Sequence, residues 1–529
     1  MAQHRTTLSL RATIILCALS GLLLSLCFPP AGLWFLAWVA LVPWLIALRL
    51  ARGGAAFLGS WIGGFVFLGA LCYWLYLFGV SVLVLAALAL GLWLVLWAMS
   101  VRWIGRLGPA PRIVGVAVLW AGVEWVRGLG DFGFTWGWLG YSQSPRPDLL
   151  PLAGLFGTLA LSFVIALVNA AVADVVLAGM RGDRPARAVL RAGVCVAVVA
   201  LCMFGARAAV KRTRPTGPEI RAIVIQGSSG GPLTAKDVNI PPSAAERQKT
   251  LDIYGSLTAK AATQRPALVI WPESVIPGAP EADPDIAARV SQIARSSDAW
   301  LLAGGPYYDE RGRTFNSAYL YSPTGNLTAR YDKVQLVPFG EYVPARAWLP
   351  LLKRYNVRDF DFTAGAVHRV LQAGTIAVGP MICFESTFPI IGWQLADRRA
   401  QVLVVITNDA WFGRTAAAAQ HQQMAVLRAV ETGRWVLRGA STGISSIIAP
   451  DGRVVARAGL YKQSVLSARV RLTDGGKRFA SVQPAFAWAM VALAIAYLIV
   501  PAALPRGRGT VPSARRSSAP RPRAKATPR

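Results

Sequence analysis

One cysteine of this 529-residue chain differs from the other five in its surroundings and is the first candidate for covalent chemistry. Cys383 follows the apolar run Ile376–Ile382, which has the composition of a buried strand, and a turn there would expose the sulfur. Cys383 is therefore a candidate nucleophile, and a buried packing cysteine is the alternative. The other cysteines all fall in long apolar segments, where a small apolar residue is ordinary: Cys17, Cys27, Cys72, Cys195 and Cys202.

A nucleophilic thiol needs a base, and histidine is the usual one, but the chain has only three. His4 lies on the opposite side of the membrane from Cys383 in the topology derived below. His421 falls on a helical pattern, where packing or helix capping is the simpler interpretation. His368 falls in a loop and stays open as a candidate.

Carboxylates and a lysine offer a second route to the same chemistry. Glu273 closes the apolar run Ala267–Trp271, and Lys333 precedes a rigid aromatic loop at Leu336–Pro344. Taken alone, each charge could equally be a solvated surface group. The CxxC and HExxH spacings of metal sites are absent, as is a glycine-rich nucleotide loop, so we expect no cofactor and no metal.

The composition indicates a membrane protein. Hydrophobic residues make up 54% of the chain, the mean hydropathy is +0.45, and only 15% of residues are charged, against about 25% in soluble domains. The 19 tryptophans are typical of aromatic belts at two bilayer interfaces. Much of the formal net charge of +29 lies between apolar blocks and in a tail, which indicates a topology signal rather than nucleic-acid binding.

Eight apolar segments are candidates to cross the roughly 30 Å of bilayer hydrocarbon. The first could instead be a signal peptide, but another apolar segment follows directly after Pro29-Pro30, which favours a retained helical hairpin. The first, second and fifth are short for a bilayer. The segments are Thr13–Phe28, Gly32–Leu48, Ala55–Phe78, Val80–Ser100, Ile113–Val126, Leu150–Met180, Ala192–Val210 and Ala485–Leu504.

The positive charges between these segments predict their orientation. With the amino terminus inside, arginines occur in every inside connection, for example Arg102, Arg106 and Arg112 together. The outside loop at residues 127–149 contains two aspartates, Asp131 and Asp148. Both termini then lie inside, and Lys211–Pro484 lies outside.

The outside segment predicts a soluble α/β domain. Its β-branched runs alternate with helical patterns such as Ala244–Thr263 and Gln420–Glu431, which predicts a sheet with helices on its faces. We therefore expect a transmembrane domain at residues 1–210 with about seven helices, a catalytic domain at 211–484, a final transmembrane helix at 485–504 and a basic disordered cytoplasmic tail at 505–529. The predicted strands are Ile220–Gln226, Ala267–Trp271, Leu301–Gly304, Ile376–Ile382 and Val402–Thr407.

Motifs around these candidates resemble those of a known family. Glu273 lies in WPES, Lys333 in DKVQLVPFGEYVP and Cys383 in ICFES, which are similar to the motifs of the Glu–Lys–Cys triad of the nitrilase superfamily. NDAWFG at Asn408–Gly413, QH…M…RAVETGR at Gln420–Arg434, EWVR at 124–127 and WGWLGY at 136–141 agree as well. From about residue 13 to 504 the chain resembles the apolipoprotein N-acyltransferases, the membrane branch of that superfamily. LVPFGEYVP is the most specific of these motifs, whereas WPE occurs across nitrilases.

The resemblance implies a fold and a mechanism. The fold is a multi-span α-helical membrane domain of about eight helices plus an α/β nitrilase-like αββα sandwich domain. Glu273 would be the proton acceptor, Lys333 would stabilise thiolate and oxyanion, and Cys383 would be the nucleophile. Glu341 and Glu385 would be supporting carboxylates. A phospholipid would acylate Cys383, and the α-amino group of a diacylglyceryl-cysteine apolipoprotein would then attack the thioester.

The resemblance also implies a monomer in the bacterial inner membrane, with its catalytic domain in the periplasm. Transfer of an acyl chain of about 16 carbons into water costs roughly 12 kcal/mol, so both substrates would have to arrive laterally from the bilayer. Apolar side chains that could line such an entrance, or simply pack, are Phe339, Trp348, Leu349, Leu351, Leu352, Phe360 and Phe362. Glu124 and Arg127, three apart on a predicted helix, are expected to pair, with a functional role as the alternative.

Three departures from the family pattern bear on acceptor recognition more than on the triad. They are the run Gly227–Gly231, the run Arg414–Ala419 and Ser441 within Ala440–Gly443. Two rival functions stay open. One is a membrane-bound nitrilase-type acyltransferase or amidase that acts on a different amine or amide, and the other is a non-enzymatic membrane scaffold.

Overall fold

The structure is a computed structural model that describes residues 7–181, 185–211, 215–228, 242–344, 360–473 and 481–503. Several predictions from the sequence fall outside these residues. They concern the cytoplasmic tail, part of the run Gly227–Gly231, and four of the proposed entrance residues: Trp348, Leu349, Leu351 and Leu352.

Apolar helices form the first part of the chain and return at its end. Five helical segments in the described chain are long and apolar enough to cross a membrane: Gly53–Leu71, Val80–Arg106, Thr158–Met180, Ala186–Val210 and Val482–Val500. The helices are α1 (Leu10–Leu26), α2 (Val42–Leu50), α3 (Gly53–Leu71), α4 (Val80–Trp103), α5 (Pro109–Arg127), α6 (Pro151–Phe156), α7 (Thr158–Met180), α8 (Ala186–Lys211) and, after the sheets, α13 (Val482–Ala503).

The other three predicted spans correspond to α1, to the segment around α2 and to α5, which are shorter or carry more charge. The second predicted span is a 3₁₀ turn at Trp34–Trp38 followed by α2, which has only nine residues. The predicted span Leu150–Met180 is two helices, since Gly157 between α6 and α7 has φ +82°, a conformation that favours glycine.

Two six-stranded sheets form the rest of the molecule. The strand orders are β12-β1-β2-β3-β4-β5 and β11-β10-β9-β8-β7-β6, and within them β1-β2-β3 and β7-β8-β9 run parallel. The strands are β1 (Glu219–Gln226), β2 (Leu268–Ile270), β3 (Trp300–Tyr308), β4 (Thr314–Tyr321), β5 (Leu327–Asp332), β6 (Leu371–Ala373), β7 (Ile376–Ile382), β8 (Val402–Thr407), β9 (Val436–Ala440), β10 (Ser446–Ile448), β11 (Val454–Arg457) and β12 (Ser464–Arg471). All five strands predicted from the sequence are confirmed.

The sheets stack face to face because their central strands are apolar on both sides. Val224 and Ile270 of the first sheet pack in one core with Val404 and Ile406 of the second. The helices α9 (Ala244–Ala262) and α10 (Pro284–Ser297) cover the outer face of the first sheet. The helices α11 (Pro389–Asp397) and α12 (Ala417–Thr432) cover the second. The order of layers is helix, sheet, sheet, helix, as predicted.

The α11–α12 layer also touches the membrane helices. Buried residues of α12 such as Met424 and Leu427 belong to the same hydrophobic core as Leu152 of α6 and Trp138 of the loop after α5. Helix α12 is buried along most of its length, between a sheet on one side and apolar helices on the other. Its polar residues must therefore find partners inside the protein.

Candidate active site

The candidate residues follow four strand ends. Glu273 comes three residues after β2, Lys333 directly after β5, Cys383 directly after β7, and Asn408 directly after β8. Because β7 and β8 are parallel neighbours, their carboxyl ends meet at one edge of the second sheet. The stacking of the two sheets brings the ends of β2 and β5 to the same place.

Lys333 lies between two carboxylates. Its Nζ is 2.9 Å from Glu341 Oε1 and 3.8 Å from Glu273 Oε1, and its side chain is 1% exposed. Asn316 of β4 donates to both carboxylates, at 2.7 Å to Glu273 and 3.0 Å to Glu341. The backbone N–H groups of Asn408 and Val337 donate to the remaining oxygens, at 2.6 and 2.8 Å. Both carboxylates are thus held on both oxygens.

Cys383 opens a 3₁₀ turn at Cys383–Thr387 and is half-buried. Its φ is +52°, in the left-handed region that non-glycine residues rarely adopt and that concentrates at functional sites. Glu273, Lys333 and Asp409 all lie close enough to act on the charge of the thiol, and the Thr407 hydroxyl donates to Asp409 Oδ1 at 2.9 Å. The structure therefore brings the three predicted triad residues together.

The electrostatics of this cluster keep the thiol protonated at rest. Burial and the Glu273 carboxylate raise the pKa of Cys383, against the influence of Lys333. Burial also raises the pKa of Glu273, although Lys333 opposes that shift. For Lys333 burial alone would lower the pKa, but Glu341 and Glu273 outweigh it, so the pKa is raised and the ammonium persists. A proton passed from Cys383 to Glu273 leaves the net charge unchanged and leaves Lys333 beside the new thiolate.

The turn that carries Glu273 packs directly on the neighbouring strand β3. A Cβ atom added at Gly304 would lie 2.6 Å from Glu273 Cα and 2.7 Å from Pro272 O. The next residue, Ser274, has φ +56°, so the turn is sharp as well as close. Because Gly304 has no side chain, the turn can lie close enough to β3 for Glu273 to approach Lys333.

Glu385 ties the cysteine strand to the lysine loop. It is fully buried, and its Oε2 accepts from the Ile382 N–H at 2.7 Å. Its Oε1 accepts from the Tyr331 hydroxyl at 2.7 Å, from Val334 N–H at 2.8 Å and from Gln335 N–H at 3.2 Å. The carboxylate therefore links the residue before Cys383 to the residues after Lys333.

The two histidines in the two-sheet domain have different surroundings. His368 Nδ1 is 3.0 Å from the Tyr331 hydroxyl and 3.8 Å from Glu385 Oε1. His368 therefore lies beside Glu385, one of the two predicted supporting carboxylates. His421 was interpreted from the sequence as a packing or capping residue, but its Nε2 lies 3.1 Å from the Cys383 carbonyl oxygen and its Nδ1 3.2 Å from Asp409.

A loop of the membrane half covers the cysteine turn. Thr135 Oγ1 and the Tyr141 hydroxyl each donate to the Thr387 carbonyl at 3.0 Å. Trp136 Nε1 donates to Gln420 Oε1 at 2.7 Å. The motif at residues 136–141 is thus a contact between the two halves of the molecule.

The predicted pair of Glu124 and Arg127 is wrong. Glu124 Oε1 accepts from Trp120 Nε1 at 2.9 Å and from the Leu139 N–H at 2.7 Å, so it holds the covering loop instead. Within the described ranges, Glu124 Oε2 and Arg127 Nη1 have no hydrogen-bond partner, although both residues line one cavity below the loop. Glu124 and Arg127 do lie three residues apart on one helix, as predicted, but the Leu139 N–H of the loop after α5 donates to the Glu124 carboxylate.

Three of the proposed entrance residues are described. Phe360 is 40% exposed and meets Phe362 edge to face at 5.4 Å, while Phe339 is half-buried with φ +62°. They lie beside Glu341, whose carbonyl accepts from the Phe362 N–H at 2.7 Å. These side chains are therefore close to the site and partly free of the core.

Several site residues were not singled out from the sequence. Asn316 carries no motif and lies in the middle of a strand, so nothing in the sequence indicates that it holds two carboxylates. Thr407 and Asp409 flank Asn408 in the NDAWFG region, whose motif could have suggested them. Arg438, 0% exposed on β9, pairs with Asp409 at 2.7 Å, and only the sheet order places it there.

Comparison with known proteins gives the following matches. The family model described as "Apolipoprotein N-acyltransferase N-terminal domain" matches residues 20–171, and the one described as "Carbon-nitrogen hydrolase" matches residues 236–477. The apolipoprotein N-acyltransferase of Geobacter metallireducens is 34% identical over 498 residues, which cover 91% of this chain and 94% of the relative. That of Azotobacter vinelandii is 32% identical over 505 residues, with 92% and 93% covered. Among solved structures, an amidase from Nesterenkonia sp. AN1 matches with 21% identity and a TM-score of 0.37, over 50% of this chain and 97% of that one.

Proposed function

The chain belongs to the apolipoprotein N-acyltransferase family, and from that premise we propose how its residues carry out lipoprotein N-acylation. It is a bacterial membrane acyltransferase whose partners are lipids and lipoproteins. The proposal concerns the roles of Glu273, Lys333 and Cys383, the donor and acceptor, and the side of the membrane on which they react. The observation that carries it is the buried lysine between two carboxylates beside a half-buried cysteine.

In the first half-reaction the Cys383 thiol attacks the ester carbonyl of a phospholipid. Glu273 takes the thiol proton as the C–S bond forms and returns it to the leaving lysophospholipid hydroxyl, so that an acyl-enzyme thioester remains. Lys333 faces the charge that develops on sulfur and on the carbonyl oxygen, a kind of stabilisation worth ~3–4 kcal/mol. Glu341 keeps the ammonium in place, and Glu385 keeps the two loops in register.

In the second half-reaction the α-amino group of a diacylglyceryl-cysteine lipoprotein attacks the thioester. Glu273 accepts a proton from the amine while the C–S bond breaks, and it passes that proton to the Cys383 thiolate. The products are the amide of the triacylated protein and free enzyme. A raised pKa on Glu273 suits a group that must alternately bind and release a proton.

For the setting we propose the inner membrane, a periplasmic catalytic domain at 211–484 between helices at 1–210 and 485–504, and a monomer. The arginine-rich connections support this orientation. The packing of the α11–α12 layer on the apolar helices supports a site at the bilayer surface, where a lipoprotein acceptor and a phospholipid donor both lie.

The decisive test is the intact mass of the purified protein after incubation with a dipalmitoyl phospholipid. We expect a palmitoyl-sized increment that hydroxylamine removes and that is absent in Cys383→Ala. Cys202→Ala, at an exposed cysteine of α8, is the matched control and should still be acylated. An increment that persists in Cys383→Ala would refute the assignment of the nucleophile.

A second candidate keeps the triad but changes the acceptor to another amine or an amide. The run Ala440–Gly443, which departs from the family pattern, supports testing it because it lies beside the candidate site: the Ser441 hydroxyl donates to Asn408, whose N–H donates to Glu273. The run Arg414–Ala419 departs from the pattern as well. Acyl transfer to a synthetic diacylated lipopeptide, measured beside hydrolysis of simple amides, separates the two. A scaffold without activity would instead tolerate Cys383→Ser.

A further inference from the structure

His421 and its neighbours form a buried polar chain beneath Cys383 that the proposed reaction does not use. Arg438 Nη2 is 2.7 Å from Asp409 Oδ2 and 3.3 Å from His421 Nδ1. His421 Nε2 is 3.1 Å from the Cys383 carbonyl oxygen and 2.8 Å from Ser386 Oγ. The four residues that form this chain, Ser386, His421, Asp409 and Arg438, are each nine-tenths or more buried, so their contacts are with one another and with Cys383 rather than with water.

The hydrogen bonds around the ring assign its protons. The Ser386 hydroxyl donates to the Cys383 carbonyl at 2.8 Å, which leaves the lone pairs of Ser386 Oγ free to accept. Both neighbours of His421 Nε2 are then acceptors, so Nε2 carries a proton and donates to them. Burial and the nearby Arg438 lower the pKa of His421, against the Asp409 carboxylate, so that the ring is neutral. With the proton on Nε2, Nδ1 accepts from Arg438 Nη2 at 3.3 Å, a donor that it shares with Asp409, whose Oδ1 lies 3.2 Å from Nδ1.

The carbonyl that His421 holds belongs to the strained residue of the site. A non-glycine residue rarely adopts φ +52°, and such a conformation persists only where its surroundings over-determine it. Two side-chain donors, from His421 and Ser386, converge on that one carbonyl. The ring itself is fixed between Trp136 and Phe412, with centroids 5.9 and 6.3 Å away.

We propose that His421 is a positioning residue: its Nε2–H holds the Cys383 carbonyl and thereby aims the sulfur at the acyl carbonyl and Glu273. Asp409 and Arg438 orient the ring from the other side. Asp409 remains a carboxylate in this role, because Arg438 and the Thr407 hydroxyl, which donates to Asp409 Oδ1 at 2.9 Å, outweigh burial and bring its pKa to about 2. The proposal rests on the proposed function for the reaction that it serves, but the geometry of the sulfur can be tested without it.

Two substitutions separate the hydrogen bond from the packing of the ring. His421→Phe keeps an aromatic ring between Trp136 and Phe412 but removes the donor. His421→Gln loses the ring but keeps an N–H group at the position of Nε2. The single-turnover rate of acyl-enzyme formation is followed by intact mass at increasing concentrations of dipalmitoyl phospholipid in detergent micelles, for both variants and the unsubstituted protein.

We expect His421→Phe to lower the maximal acylation rate about 10- to 100-fold with the half-saturating phospholipid concentration unchanged, since a misaimed nucleophile reacts slowly after normal binding. His421→Gln should recover most of the rate. The rate of Cys383 alkylation by iodoacetamide, read by peptide mass spectrometry, should follow the same order and needs no acyl donor.

Either of two results would overturn the proposal. One is a phenylalanine variant that is acylated and alkylated as fast as the unsubstituted protein. The other is a glutamine variant as slow as the phenylalanine variant, which would show that the ring only packs. If the unsubstituted protein forms no acyl-enzyme while the order of alkylation rates holds, the proposed function fails and the positioning role stands.

Discussion

At the scale of single residues, charge balance favours the proposed glutamate over a histidine as the base. Lys333 already neutralises one of its two carboxylates, so a proton moved from Cys383 to Glu273 creates no additional buried charge. A histidine base would become a cation beside the lysine, at a cost that burial increases. The nearest histidine lies behind the cysteine and meets its backbone instead.

The pKa of Glu273 predicts the acid side of the pH–rate profile. A base must be deprotonated to accept the thiol proton, so acylation should be lost as pH falls through the raised pKa of Glu273. We expect that loss above pH 4.5, the ordinary value of a glutamate. Single-turnover acylation measured across pH checks this. A rate that holds down to pH 4.5 would contradict the assignment of Glu273.

The structure predicts the direction in which a substitution of Asn316 moves the pH–rate profile. Its amide donates to Glu273 and favours the ionised form. Asn316→Ala should therefore move the acid limb of the profile to higher pH and slow acylation about tenfold at neutral pH. Asn326→Ala, at an exposed asparagine of the β4–β5 turn, is the control. An acid limb at an unchanged or lower pH would mean that the Asn316 amide does not lower the pKa of Glu273.

At the scale of elements, the site depends on how closely a turn approaches a strand. Glu273 reaches Lys333 only because β3 presents Gly304 to the turn after β2. No motif in the sequence marks Gly304, since its role is to leave space for residues about 30 positions earlier. Close approach of backbone to backbone is a common use of glycine within strands.

Gly304→Ala should therefore displace Glu273. The added Cβ would lie 2.6 Å from Glu273 Cα, and backbone on both sides leaves no flexible side chain to yield. We expect at least a tenfold loss of acylation and overpacking of about 1–3 kcal/mol in thermal unfolding. Gly255→Ala on α9 meets only the Ile293 side chain and should be neutral or slightly stabilising. Equal activity in both variants would show that the turn tolerates displacement.

At the scale of the whole molecule, a buried ion pair joins the two-sheet domain to the apolar helices. Arg428 and Glu431 of α12 are both 0% exposed and 2.7 Å apart. Glu431 Oε1 also accepts from the N–H and hydroxyl of Thr158, the first residue of α7, and Arg428 donates to the Thr387 carbonyl at 3.0 Å. The pair therefore links a transmembrane helix to the turn that begins with Cys383.

Breaking this pair from either side should be costly. We expect Arg428→Met and Glu431→Gln each to lower stability by roughly 3–5 kcal/mol, because a buried charge loses its partner. The double variant should lose less than the sum of the two, by about 0.5–3 kcal/mol. Thermal unfolding at constant detergent concentration measures this. Arg453→Met, from an exposed pair, should change little, and additive losses at α12 would argue against coupling.

The orientation of the whole chain can be read by labelling cysteines with a membrane-impermeant maleimide in intact cells. Glu310→Cys, exposed between β3 and β4, should react in intact cells if that domain is periplasmic. Arg52→Cys, exposed at the start of α3, should react only after lysis. The unsubstituted protein is the blank, and the reverse pattern would overturn the proposed topology.

Much of this molecule was decided by sequence alone, because burial imposes local patterns. The apolar blocks predicted a membrane protein, and the β-branched runs predicted the strands that carry Glu273 and Cys383 at their ends. Motifs on Glu273, Lys333 and Cys383 predicted residues that the fold does bring together. The family followed from the same motifs and is confirmed by relatives that cover nearly the whole chain.

Tertiary structure alone decided the contacts between residues far apart in the chain. Asn316, Gly304 and Arg438 act through space on residues of other strands, and no local pattern encodes a partner across two stacked sheets. The predicted Glu124–Arg127 pair is wrong for the same reason, because the Leu139 N–H of the loop after α5 donates to the Glu124 carboxylate. The sequence predicted His421 to be a packing or capping residue on a helix, and only the packing of α12 against the cysteine turn places its Nε2 3.1 Å from the Cys383 carbonyl oxygen.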